Sequence, residues 1–213
     1  FLPLSHAYER TWSNYVFRQG AVNNYMANQK EIVAYLSEVK PSCMVSVPRL
    51  YEKIYATVHD GVEKAGGIKK KLFNWAFETG KKYAYKKKDK AFVGPLLAAK
   101  HALSDKLVLS KLRDVVGGYK KFFSAGGAAL SKDIEEFFFA CGVLVCQGYG
   151  LTETSPMSTC NRPREYKFGT VGKAIYGTQM RVSDEGELQI KGPNLMKGYY
   201  NKPEATDERF TKD

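Results

Sequence analysis

A strand, helix, strand succession in the middle of the chain constrains its fold more than any other feature. Lys121 to Ser124 reads as a strand, and Ser131 stands where it can cap a helix whose Ile134, Phe137, Phe138 and Cys141 point inward. Val143 to Cys146 reads as the next strand. Two such strands joined through one helix pair in parallel, because the crossover brings the second strand round in the same direction. The expected fold class is therefore α/β, with a mostly parallel sheet and flanking helices. A similar unit stands earlier, where Ile32, Leu36 and Val39 line one face of a helix from about Gln29 to Val39 and Ser42 to Val47 forms a buried strand closed by Pro48.

After Thr170 the pattern changes to short strands and tight turns. Gly177 to Ser183 and Glu187 to Lys191 are joined through Asp184-Glu185-Gly186, which predicts a small antiparallel β subdomain. The expected division is an α/β portion over 1–168 and the start of a β-rich subdomain over 169–213. Phe1-Leu2-Pro3-Leu4 reads as an apolar strand already under way, and Thr211-Lys212-Asp213 follows a charged, turn-rich stretch. Together with the lack of an initial Met, this predicts an internal fragment of a longer protein.

Composition narrows the class. The chain is 44% hydrophobic and 13% aromatic, which suits a packed domain rather than a disordered tail. No run approaches the roughly 20 apolar residues needed to span a bilayer, so a soluble or peripheral protein is expected. Cys43, Cys141, Cys146 and Cys160 form no CxxC pair, and three of them lie in or beside apolar runs. A reducing, cytoplasmic setting is expected. His6, His59 and His101 are remote from any cysteine pair, which argues against zinc.

The 33 basic residues exceed the 22 acidic ones by eleven. Much of the excess sits between Lys64 and Lys90, where ten lysines face only Glu78 and Asp89. Arginine is absent from that stretch, whereas sequence-reading proteins use arginine forks, so no nucleic-acid partner is expected. Ile68, Leu72, Trp75, Ala76 and Tyr83 recur there at helical spacing. A basic amphipathic helix is expected, its apolar face packed on the domain and its lysines solvated. Peripheral docking on an anionic membrane through this helix is the alternative.

In open parallel sheets ligands bind beyond the carboxyl ends of the strands, which directs attention to two loops. The first, Ser124-Ala125-Gly126-Gly127-Ala128-Ala129-Leu130, has almost no side chains, so a flat ligand can lie against bare backbone. A plain strand-to-helix turn would use the same glycines. The second, Gln147-Gly148-Tyr149-Gly150-Leu151-Thr152-Glu153, places an aromatic plane, a hydroxyl and a carboxylate close together after a strand. Those groups suit a nucleotide: Tyr149 to stack on a base, Thr152 to bond a phosphate oxygen and Glu153 to hold Mg²⁺.

The second loop resembles the aromatic-Gly-x-Thr-Glu loop of the adenylate-forming enzymes. Gly126-Gly127-Ala128-Ala129-Leu130 is similar to the family's adenine and acyl-pocket segment upstream of it. Val171-Gly172-Lys173, Gly186-Glu187-Leu188, Gly192-Pro193 and Gly198-Tyr199-Tyr200-Asn201-Lys202-Pro203-Glu204-Ala205-Thr206 are similar to its continuation. Within the family, Leu2-Pro3-Leu4-Ser5-His6-Ala7-Tyr8-Glu9-Arg10 and Val47-Pro48-Arg49-Leu50-Tyr51-Glu52-Lys53-Ile54 resemble the long-chain fatty acyl-CoA synthetases. So does the lysine-rich stretch.

The resemblance implies a two-step ligase using ATP, Mg²⁺ and coenzyme A as co-substrate, with a long-chain fatty acid as substrate. Thr152 and Glu153 then serve the phosphates and Mg²⁺. Gln147, Gly148, Tyr149 and Gly150 line the nucleotide, and Gly126, Gly127, Ala128 and Ala129 shape the adenine and acyl pockets. His6 resembles a family residue beside the acyl tunnel and the thiol's approach; a purely structural histidine is the other reading. The family's phosphate loop, ribose-binding aspartate and C-terminal domain with its lysine have no counterpart in these 213 residues. The chain alone is therefore expected to be inactive, and its exposed sheet edges allow self-association. The alternatives are a fragment of another adenylate-forming ligase, with a different carboxylic acid, and a non-catalytic lipid- or nucleic-acid-binding module built on the lysine helix.

Overall fold

The structure is a computed structural model that describes residues 2–26, 28–118 and 122–211. Its first element, α1 (Ala7–Arg18), begins where His6 Nδ1 accepts the Tyr8 N–H at 3.2 Å. The expected opening strand does not form. Pro3 has no N–H for a ladder, its carbonyl instead accepts the His6 N–H at 2.9 Å in a turn, and Leu4 is exposed. Phe1 lies outside the described residues.

The first expected helix is a 3₁₀ turn (Gln29–Glu31) running into α2 (Ile32–Val39), which buries Ile32 and Leu36. Val39 is exposed instead, because the next residue, Lys40, already leaves the helix with φ of 48°. Strand β1 (Cys43–Ser46) follows. Pro48 does close that strand, and it does so as the first residue of α3 (Pro48–Ala65), where a missing N–H costs nothing.

The lysine-rich stretch is α4 (Gly67–Lys88), and its inward face keeps only part of the expected stripe: Ala76 is buried, Trp75 and Tyr83 are half-buried, and Ile68 and Leu72 turn outward. Phe73, Ala76, Thr79 and Gly80 are buried, while Ile68 is 84% exposed and Leu72 is on the exposed side. The reason is close approach to a second helix: a Cβ on Gly80 would sit 2.5 Å from the Ala140 carbonyl oxygen. Small residues thus define the contact, and a hydrophobicity pattern does not register them. Next come α5 (Pro95–Ser104), a π-helical segment (Asp105–Leu109) and α6 (Ser110–Val115).

The central unit forms with the expected order, but its second strand starts two residues later and takes in Gln147 to Tyr149, which the sequence reading put in the loop. Strand β2 (Phe122–Ala125) leads to α7 (Lys132–Ala140), where Ser131 Oγ accepts the Ile134 N–H, and then to β3 (Val145–Tyr149). Lys121 lies outside the described residues. Ile134, Phe137, Phe138 and Cys141 are all buried. Strands β1, β2 and β3 are parallel, with Met44 beside Phe123 and Phe123 beside Val145. Two short antiparallel strands, β4 (Thr159–Cys160) and β5 (Lys173–Ala174), extend the sheet past β3. A separate hairpin of β6 (Gln179–Val182) and β7 (Leu188–Lys191) turns through Ser183 to Glu187, and α8 (Pro203–Asp207) follows. The fold is thus a mostly parallel α/β sheet followed by an antiparallel hairpin.

Alternate residues of β2 face opposite sides of the sheet. Phe122 meets Trp12 of α1 edge-on at 6.2 Å, and Phe123 meets Tyr51 of α3 at 6.1 Å. The main core lies on the second side, where Tyr51, Phe123, Phe137 and Phe138 interlock. Cys141 and Cys146 are buried free thiols; burial pushes both up to about 12, so they behave as small apolar side chains.

Candidate active site

The carboxyl ends of β1, β2 and β3 bring both glycine-rich loops to one edge of the sheet. The Gly126 N–H donates to Ser46 O at 3.2 Å, which carries the β2 strand one residue further before the chain turns. Gly126 is buried, and Gly127, Ala128 and Ala129 are exposed, so an apron of bare backbone lies open. Gly126 has no room for a side chain: a Cβ would sit 3.0 and 3.1 Å from two ring carbons of Tyr8. Tyr8 comes from α1, and its hydroxyl bonds Ser124 Oγ at 2.6 Å, while Tyr51 donates to Ser124 O at 3.0 Å. Burial pushes the Tyr8 phenol up to about 12, so it stays protonated. Sequence reasoning passed over Tyr8; the available signal was its position two residues after His6.

Gln147 does not present its amide to the open edge. Its Oε1 accepts the Leu130 N–H at 2.8 Å and its Nε2 donates to Leu130 O at 3.0 Å, with the side chain almost wholly buried. The residue therefore ties the two loops together and acts by positioning them.

Tyr149 ends β3 and is half-buried, and its carbonyl accepts the Ser158 N–H at 2.8 Å. Gly148 and Gly150 flank it for steric reasons. A Cβ on Gly150 would lie 1.9 Å from the Pro156 carbonyl oxygen, so the loop folds back over this residue only if it is glycine. A 3₁₀ turn, Thr152–Thr154, follows. Thr154 is buried and serves the turn itself, accepting the Leu151 N–H at 2.9 Å and donating to Leu151 O at 3.0 Å. Thr152, by contrast, is exposed with its hydroxyl available.

Glu153 is half-buried, and Tyr199 donates to its Oε1 at 2.7 Å. That hydrogen bond holds the carboxyl below the usual range. The Glu153 carbonyl accepts the Met196 N–H at 2.8 Å. Asn194 donates to Thr154 O at 3.1 Å and Met157 O at 3.0 Å, while Thr178 donates to its Oδ1 at 3.0 Å. The 178–199 segment thereby fixes the turn that carries Thr152 and Glu153. Neither Asn194 nor Tyr199 was singled out as a site residue from sequence, although Tyr199 lies in a stretch noted there and Asn194 directly follows one.

His6 is exposed at the start of α1, where its Nδ1 is engaged as a helix cap. It stands on the same segment as Tyr8. Among the described residues no group of three or more His, Cys, Asp or Glu side chains could hold a metal. A single ionised carboxylate such as Glu153 is nevertheless a suitable partner for Mg²⁺, which keeps most of its ligands as water and phosphate oxygens. No described helix is long and apolar enough to cross a membrane.

The sequence profile of the AMP-binding enzyme family matches residues 1–200. A long-chain-fatty-acid–CoA ligase, FadD15 of Mycobacterium bovis, is 36% identical over 99% of this chain and 35% of its own length. The Arabidopsis thaliana protein named long chain acyl-CoA synthetase 6, peroxisomal, is 32% identical over the whole chain and 31% of its own length. Among solved structures, a malonyl-CoA ligase with methylmalonyl-CoA and AMP bound covers 99% of the chain with a TM-score of 0.62 at 23% identity. Apo MatB from Rhodopseudomonas palustris gives 0.61 at 22% identity; these two establish the likeness of fold. The chain spans about a third of the length of the curated relatives.

Proposed function

Because the chain belongs to the AMP-binding enzyme family, we propose that the full-length protein is an ATP-dependent ligase that joins a long-chain fatty acid to coenzyme A. The observation that carries this reading is the pairing of the open Gly127–Ala129 apron with Tyr149, Thr152 and Glu153 on the adjoining loop, locked together by Gln147. In the first step a carboxylate oxygen of the acid bonds to the α-phosphorus of ATP, and the bond to pyrophosphate breaks. In the second the coenzyme A sulfur bonds to the acyl carbon, AMP leaves with the electron pair, and the thiol proton passes to solvent.

Within this reading Tyr149 stacks on adenine, Gly126 to Ala129 shape the adenine and acyl pockets, and Thr152 donates to a phosphate oxygen. Glu153 would hold Mg²⁺, which when bound supplies neutralisation of phosphate charge. His6 and Tyr8 stand at the acyl side, where His6 fixes the start of α1 and Tyr8 walls the pocket at Gly126. We propose that the boundary between the α/β portion and the β-rich subdomain lies at residues 168 and 169, with β5 reaching back to the main sheet. We infer a cytoplasmic setting from the four free cysteines. The 213 residues alone are inferred to be inactive, since catalysis of this kind depends on donors spread over a chain three times as long.

The test is ATP- and CoA-dependent formation of palmitoyl-CoA by the full-length protein, beside its Glu153→Ala variant. Activity that falls at least a hundredfold in the variant supports both the ligase and the role of Glu153. Full activity in the variant removes the metal role, and acceptance of a different acid with no activity on fatty acids replaces the substrate.

A further inference from the structure

On the side of the sheet opposite α1, helices α2, α3 and α6 form a groove of about 410 Å³ that the nucleotide site does not use. Leu50, Ile54, Val58 and Val62, one turn apart along α3, form its floor, and Ile32 of α2 and Val115 of α6 close its sides. It follows α3 from Leu50 to Ala65, about 22 Å of helix at 1.5 Å per residue. Because α3 lies on the Phe123 side of the sheet, this groove is separated by the sheet from Trp12 on α1, which packs on Phe122.

The wall is almost wholly apolar, yet three lysines are among the residues that line it: Lys30, Lys53 and Lys69. Among the described lining residues there is no Asp or Glu, and none of these lysines is held in a described ion pair. An elongated apolar trough with unpaired cations at its rim complements one chemistry: a single alkyl chain ending in an anion. Lysine stems add apolar surface while their heads stay in water, which suits an amphiphile lying half in the groove. A volume of this size falls within the range of small-ligand sites.

We propose that this groove is a second binding site, separate from the nucleotide site, for a single-chain anionic amphiphile of the fatty-acid type. Gly61 offers a way to close it. The residue lines the groove in the C-terminal half of α3, and a Cβ there meets nothing within 4 Å. Gly61→Leu fills the trough while replacing a helix-interior glycine by a better helix former, so the variant folds at least as well as the parent.

The experiment uses full-length protein and palmitate carrying a photoreactive diazirine in its chain, without ATP or coenzyme A, with cross-links located by mass spectrometry. The expected result is labelling of the Leu50–Val62 peptide that drops at least fivefold in Gly61→Leu and in the Lys53→Glu, Lys69→Glu double variant. A photoreactive alcohol of equal length should label that peptide at least fivefold less than the acid. Labelling confined to the neighbourhood of Tyr8 and Gly126, labelling of α3 that persists in Gly61→Leu, or equal labelling by the alcohol would each overturn the proposal. Palmitoyl-CoA formation, measured separately, stays unchanged in Gly61→Leu, so the outcome does not depend on whether the ligase reading holds.

Discussion

Tyr199 donates a 2.7 Å hydrogen bond to Oε1 of Glu153 across 46 residues of chain, joining the last described segment to the loop after β3. The bond favours the ionised carboxylate, and it is the first cause of the lowered Glu153 pKa. Tyr199→Phe removes it with little change in shape. On the proposed ligase activity, kcat/KM of the full-length protein is expected to fall about tenfold, the loss of one charge-assisted hydrogen bond being worth roughly 1.5 kcal/mol. Since Glu153 then titrates at a higher pH, the acid limb of the profile of kcat/KM against pH moves upward. An unshifted limb with the same loss in rate would mean that Tyr199 acts only by packing.

The two hydrogen bonds between Gln147 and Leu130 are buried, so neither Leu130 group has water as a substitute partner. Gln147→Leu keeps the volume and removes both bonds. Each orphaned backbone group costs about 1–3 kcal/mol, and with two of them a total loss of roughly 2–6 kcal/mol is expected. Urea unfolding of the chain measures it as a lower midpoint with an unchanged slope. ATP affinity of the full-length protein should also weaken, because the two loops lose their common anchor.

How much of this was legible in the sequence depended on the range over which a residue acts. Ser131, Ile134, Phe137 and Phe138 were readable because a cap and a 3.6-residue period are local, and the strands on either side followed from it. That Thr152 and Glu153 share one turn was readable because they are neighbours in sequence. The buried face of α4 was legible only in part: Ala76 is buried as read, but Thr79 and Gly80 are buried with it, Gly80 against Ala140 of α7, and a glycine has no hydrophobicity to count. Gln147 was read as a ligand contact, and only the fold reveals that its amide is spent on Leu130, 17 residues away. Tyr199 and Asn194 reach their partners across about 40 residues or more, beyond any periodicity.

Arg113 makes a two-pronged ion pair with Asp105, at 2.5 and 2.7 Å, and donates to Cys141 O at 3.0 Å. The guanidinium is buried, whereas Asp105 keeps some contact with solvent. Arg113→Met leaves the carboxylate without its partner and the Cys141 carbonyl unsatisfied, so a loss of about 3–5 kcal/mol is expected. The hydrogen bond from Arg113 holds Asp105 below its ordinary value of 3.8. Its stabilisation is therefore complete above that value and disappears as pH falls through the folded-state value. Unfolding curves between pH 3 and pH 7 should show a steeper acid loss in the parent chain than in Arg113→Met.

Glu135 is fully buried on α7, with Oε2 accepting the Gly169 N–H at 2.6 Å and Oε1 making no hydrogen bond among the described residues. Burial raises its pKa above the ordinary 4.5, with the Gly169 bond opposing. For an acid whose pKa is raised by folding, the native state binds the extra proton, so stability falls as pH rises from 4.5 through the folded-state value and stays low above it. Glu135→Gln keeps an oxygen for Gly169 and carries no charge to desolvate. The variant should therefore be more stable than the parent at pH 8, and the advantage should shrink toward pH 4, where the parent carboxyl is already protonated. Urea midpoints for the two proteins across that range provide the check, and a constant difference would show that the gain comes from something other than the buried charge.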